Sequence, residues 1–185
     1  LTHTCALTKD QKVYCWGDDH ARTGTQLPVE VTDVSSPIDI IASQDLSCVI
    51  TSENLVKCWG SNFFGTVGNG NQIPQSTPVE VPGLSNIEKL SLGYTHACAK
   101  QFDGVIFCWG SNNLSRIADT IDNVILTPQI SHSSIQAVEL FAGTNKTCVF
   151  DTSDQLLCWG SNTNNSFSPD AAHAGNLYDP VNIEY

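Results

Sequence analysis

Four times the sequence places a cysteine, nine intervening residues and then Cys-Trp-Gly. The copies run from Cys5 to Cys15-Trp16-Gly17, Cys48 to Cys58-Trp59-Gly60, Cys98 to Cys108-Trp109-Gly110, and Cys148 to Cys158-Trp159-Gly160. All eight cysteines and all four tryptophans fall in this pattern. The first cysteines lie 43, 50 and 50 residues apart, a period that points to a stacked or radial repeat. Pro28, Pro78 and Pro128 each precede the next unit's first cysteine by 20 residues, and Pro180 opens a weaker copy of the same segment. The stretch from Trp to the next Pro varies in length and is the tolerant part of the unit.

Each Cys-x9-Cys reads as a β-hairpin. Its three central residues are Lys9-Asp10-Gln11, Ser52-Glu53-Asn54, Phe102-Asp103-Gly104 and Thr152-Ser153-Asp154. In three copies the third place holds Asn, Gly or Asp, which suits a left-handed residue in a three-residue loop. Such a loop sets the two cysteines directly opposite each other, within disulfide reach. The sequence therefore predicts the disulfides Cys5–Cys15, Cys48–Cys58, Cys98–Cys108 and Cys148–Cys158, and an oxidising compartment: secreted or at the cell surface, extracellular or periplasmic. Zinc sites gather Cys-x2–4-Cys or Cys/His pairs, whereas here only two thiols meet at each place.

The hairpins are apolar on both faces. Val49, Val149, Phe107 and Leu157 point one way, and Ile50, Val56, Ile106 and Leu156 the other. A hairpin buried on both sides has a neighbour on each side. Inner strands precede the last three hairpins at Ile38 to Ile41, Ile87 to Leu92 and Val138 to Phe141. With the Pro-Val segment they make four short strands per unit, the composition of a propeller blade. The expected fold is all-β, a β-propeller of four-stranded antiparallel blades with about four repeats. Residues 1–185 form a single propeller segment with hairpin units at 1–17, 38–60, 87–110 and 135–160, and 161–185 are expected to start a further blade.

Closure fails by arithmetic. Nineteen residues should separate Pro180 from the cysteine that follows it, but only nine lie between Pro180 and Cys5 if the chain closes on itself. The missing ten would hold a fourth inner strand. The segment is therefore expected to belong to a larger ring, seven-bladed or oligomeric, completed by further copies or further segments. A mature or excerpted segment also accounts for the lack of methionine and of a visible signal peptide.

The units resemble the repeats of the regulator of chromosome condensation family. Tyr94-Thr95-His96-Ala97-Cys98-Ala99-Lys100, followed by Asp103 to Asn112, carries the likeness best, and Phe64-Gly65-Thr66-Val67-Gly68 is similar to that family's Gly-x-Leu-Gly. The resemblance implies a propeller, usually of seven blades. It leaves function open, because relatives include a nuclear exchange factor, a photoreceptor and a secreted β-lactamase inhibitor. The paired cysteines depart from the nuclear members and point to a secreted branch. Every tryptophan belongs to the repeat, which speaks against photoreception. His3 and His96 fill the family's recurring histidine place, but Leu46 and Lys146 stand at the other two, which speaks against nucleotide exchange.

The net charge of −11 and the absence of any basic cluster argue against nucleic acid as a partner. No apolar run is long enough to cross a membrane. No catalytic motif, metal set or cofactor site is apparent. Asp18-Asp19-His20 occurs once, in a turn, and His132 and His173 stand alone. Asn113, Asn145 and Asn164 open Asn-x-Ser/Thr sequons and are candidate glycosylation sites. The variable loops carry Phe63, Phe64, Ile117, Ile121, Phe167 and Tyr178, candidates for a binding surface on one rim. The sequence thus reads as a non-catalytic extracellular propeller that binds another protein. A secreted enzyme inhibitor and a carbohydrate-binding propeller are the alternatives.

Overall fold

The computed structural model describes residues 3–17, 26–113, 117, 122–162 and 175–183. They form fifteen strands: β1 His3–Leu7, β2 Val13–Gly17, β3 Val29–Val31, β4 Pro37–Ser43, β5 Leu46–Thr51, β6 Val56–Gly60, β7 Gln75–Glu80, β8 Ile87–Leu92, β9 His96–Gln101, β10 Ile106–Ser111, β11 Val124–Ile130, β12 Ala137–Ala142, β13 Lys146–Asp151, β14 Leu156–Asn162 and β15 Gly175–Asn182. Four antiparallel sheets result. Three have four strands each, β4 to β7, β8 to β11 and β12 to β15, and the first has three, β1 to β3. The fold is an all-β set of propeller blades.

The hairpin loops explain the register. Gln11, Asn54, Gly104 and Asp154 all adopt positive φ, between 57° and 86°. Each donates its N–H to the carbonyl three residues back, as in Asn54 to Thr51 and Gly104 to Gln101. The cysteines therefore face each other in every hairpin, and all four disulfides are formed, with Cα atoms 4.1–4.2 Å apart. The Pro-Val segment pairs in a fixed register with the preceding hairpin. Val29, Val79, Gln129 and Val181 stand opposite Cys15, Cys58, Cys108 and Cys158. Residues 175–182 are accordingly the outer strand of the fourth sheet, not the start of a further blade, because their ladder partners lie in β14.

The glycine of Trp-Gly marks a bulge. Gly60, Gly110 and Gly160 have φ of 119°, 104° and 105°, which L side chains rarely adopt. A Cβ on Gly110 would sit 2.7 Å from the Thr95 carbonyl oxygen. The same carbonyl accepts a 2.8 Å hydrogen bond from Ser111, and Asp45 and Asn145 do the same for Ser61 and Ser161. The turn before each hairpin is thereby tied to the chain leaving it.

Successive sheets pack in single file, with β1 against β4, β4 and β5 against β8, and β8 and β9 against β12. Three of the four tryptophans pack back on the preceding sheet. Trp59 joins Val13, Cys15 and Val31 in one cluster, and the Trp109 indole donates to the Thr66 carbonyl at 2.8 Å. Trp159 meets the His132 ring edge-on, with centroids 4.6 Å apart. These three tryptophans are at most 1% exposed, whereas Trp16 is half-buried and Thr4 beside it is exposed.

The same joints carry a side-chain contact just before the cysteines. His3 Nε2 meets Ser47 Oγ at 2.7 Å, and His96 Nε2 meets Thr147 Oγ1 at 2.9 Å. At the joint between them, the corresponding residues Leu46 and Ala97 share the apolar core. The recurring histidine is therefore a bolt between blades. No described helix is long and apolar enough to cross a membrane.

Candidate functional site

The rim that carries the post-Trp loops is organised by one residue type. Asn62 is wholly buried. Its Oδ1 accepts from Val67 N at 2.9 Å, and its Nδ2 donates to the carbonyls of Asn71 at 2.9 Å and Ile73 at 3.1 Å. Asn112 repeats the arrangement, accepting from Ile117 N at 3.1 Å and donating to the Asp122 carbonyl at 3.2 Å. Asn162 holds the same place and is 1% exposed. Within the first of these loops Gly68 lies so close to Trp109 that a Cβ would come 2.6 Å from the indole nitrogen.

This bracing decides which loop residues reach solvent. Phe63 is 65% exposed and Phe64 42%. Ile117 is wholly buried in the main core, so its place among the surface candidates is corrected: Asn112 pins its N–H and turns the side chain inward. The side chain of Tyr178, in β15, is not described, and Phe167, Ile121 and Asn164 lie outside the described residues. So do the Asp18-Asp19-His20 cluster and His173. Asn113 is exposed in a turn, while Asn145 is half-buried. Among the described residues no group of three or more His, Cys, Asp or Glu could hold a metal ion.

Phe63 and Phe64 line a cleft of about 160 Å³ at the junction of the second and third sheets. Ser43, Gln44, Asp45 and Leu46 form one side, and Gly93 and Tyr94 the other. Tyr94 is 51% exposed. A second cleft of about 210 Å³ shares Ser43, Gln44, Gly93 and Tyr94 and reaches Gly143 and Thr144 of the fourth sheet. Gly93 fits there because a Cβ would stand 2.4 Å from the Gly143 carbonyl oxygen. Ser43 Oγ closes the junction by donating to the Gly93 carbonyl at 3.1 Å. Sequence reading missed Tyr94 and the buried asparagines. The signal for the asparagines was available in Trp-Gly-Ser-Asn, present in three of the four units.

Two charged contacts join β8, β9 and β12. Lys89 pairs with Glu139 and sits 5.3 Å from the Phe141 ring centroid, while the buried Lys100 pairs with Glu88. The hydrogen bond from Lys89 holds the Glu139 carboxyl below its ordinary pKa. Burial pushes His132 down to about 4, against the opposing pull of Asp179.

The joints, clefts and strand order together define a propeller arc. Residues 55–99 match the regulator of chromosome condensation (RCC1) repeat, and residues 1–21 and 87–115 match a second profile of that repeat. Residues 1–21 and 55–115 thus match RCC1 repeats, and each of the four hairpins carries a disulfide. The sequence matches no curated protein. Among solved structures it resembles human WBSCR16, with 17% identity and a TM-score of 0.85, covering 99% of this chain and 50% of that one. It also resembles Prp20p from Saccharomyces cerevisiae, with 16% identity and a TM-score of 0.87 over 100% of this chain and 49% of that one. The CRINKLY WD40 ectodomain of the Arabidopsis thaliana receptor kinase ACR4 is 22% identical, with a TM-score of 0.57 over 86% and 50%. The chain therefore spans about half the length of these structures.

Proposed function

We propose that this chain is a non-catalytic protein-interaction propeller working in an oxidising compartment, and that the cleft between its second and third blades is its contact surface. One observation carries the proposal: three exposed aromatics, Phe63, Phe64 and Tyr94, stand on loops braced by buried asparagine and by disulfide-linked hairpins. Exposed aromatics on rigid supports are the usual anchors of interfaces. Four disulfides favour a location outside the reducing cytosol. Prp20p is described by its binding to Gsp1p and histones, and the ACR4 propeller is a receptor ectodomain. Prp20p offers precedent for a propeller of this shape as a binding module.

We also infer that further blades complete the ring. The half-buried Trp16 and exposed Thr4 occupy the face that the preceding blade covers at the other three joints.

The interaction reading is tested by cross-linking the native protein in its source extract and identifying what is attached. Phe63→Ser with Tyr94→Ser is expected to remove the attached protein while leaving the circular dichroism spectrum unchanged. If the double variant retains the same attached proteins, the cleft is not the contact surface.

A further inference from the structure

The side chains that meet across each joint come in matched pairs. The residue just before a hairpin's first cysteine stands opposite the tryptophan, so Thr4, Ser47, Ala97 and Thr147 face Trp16, Trp59, Trp109 and Trp159. Its partner lies one place earlier in the repeat, on the preceding blade. Across the first joint His3 Nε2 meets Ser47 Oγ, and across the third His96 Nε2 meets Thr147 Oγ1. The same hydroxyls approach the sulfurs of Cys5 at 3.3 Å and Cys98 at 3.8 Å. At the middle joint both sides change together, and Leu46 shares the apolar core with Ala97. A hydroxyl facing Leu46, or an imidazole facing Ala97, would be buried against carbon at a cost. Space is matched as well. A Cβ on Gly93 would stand 2.4 Å from His96 Cε1, and Ser43 holds that place ahead of Leu46.

Three members of the series, Ser47, Ala97 and Thr147, are at most 1% exposed. The fourth, Thr4, is exposed beside the half-buried Trp16. Resting on the ring-completion reading above, we propose that the face of Thr4 and Trp16 receives a further propeller blade that presents a histidine to Thr4, and that this blade is not a second copy of this chain. The histidine comes from the place two residues before that blade's first hairpin cysteine. Thr4 carries a hydroxyl, and at the described joints a hydroxyl meets an imidazole while alanine meets leucine. A second copy closing head to tail would bring up Lys146, which fills the place of His3 and His96 and matches neither pairing.

The pairing is tested first at a described joint. His96→Leu or Thr147→Ala alone is expected to lower the folding equilibrium constant about tenfold. Together they rebuild the Leu46–Ala97 pairing and are expected to recover most of that loss, read as urea midpoints in a double-mutant cycle. Additive losses overturn the proposal. The native particle is tested next, by determining its structure. A histidine Nε2 within hydrogen-bond reach of Thr4 Oγ1 is the expected result. A blade that covers Trp16 but offers Thr4 another residue overturns the proposal and leaves the ring reading standing. Lys146 from a second copy at Thr4 overturns it in the same way. An uncovered Trp16 removes the ring reading, and the proposal with it.

Discussion

At the scale of single residues, the joints between blades concentrate the polar groups that matter most. His132 lies half-buried against the Trp159 ring. Burial lowers its pKa from 6.5 to about 4. Between those values the unfolded chain binds a proton that the folded chain refuses, so stability rises with pH across the window. The contribution is complete above pH 6.5 and is lost as pH falls towards 4. Because the ring is partly open to solvent, the effect is expected to be about 1–2 kcal/mol rather than the full value of the shift. His132→Asn keeps a residue type that tolerates the observed φ of 53° and should remove that part of the acid sensitivity. Urea midpoints at pH 7.5 and 4.5 measure it, and an equal acid loss in both proteins would contradict the assignment.

At the scale of elements, the hairpin is the unit of both sequence and structure. Its disulfide closes a short loop, which the chain-entropy picture values at roughly 2–3 kcal/mol. The hairpin register is held independently by ladder bonds and by the turn residue at positive φ. Cys98→Ala with Cys108→Ala is therefore expected to lower stability by about 2 kcal/mol without unfolding the arc. Urea denaturation reads the loss, and a variant that fails to fold at all would show that the staple sets the register. The hairpins were legible because cysteine spacing, turn residues and two-sided apolar character all point to one register. The loops were less so. Ile117 is an apolar residue in a polar, variable stretch, and only the buried Asn112 side chain reveals that it turns inward. The proline segment was seen as a strand, but its partner is set by the bulge at Trp-Gly, a backbone feature that composition does not display.

At the scale of the whole molecule, an arc and a ring differ in what happens to Trp16. Its three counterparts are covered by the preceding blade, and Trp16 is half-buried. If further blades complete the ring, the native particle should exceed the 20.0 kDa of this segment, and acrylamide should reach none of its tryptophans readily. A monodisperse 20.0 kDa particle with one quenchable tryptophan, lost on Trp16→Phe, would remove the ring-completion proposal. The placement of the disulfides carries a consequence for biosynthesis. Eight cysteines admit roughly a hundred pairings, yet each bond here joins the two strands of one hairpin and none crosses from blade to blade. Every thiol meets its partner within ten residues of chain, so oxidation can proceed one hairpin at a time, correct at first encounter and independent of whether the other hairpins have yet formed.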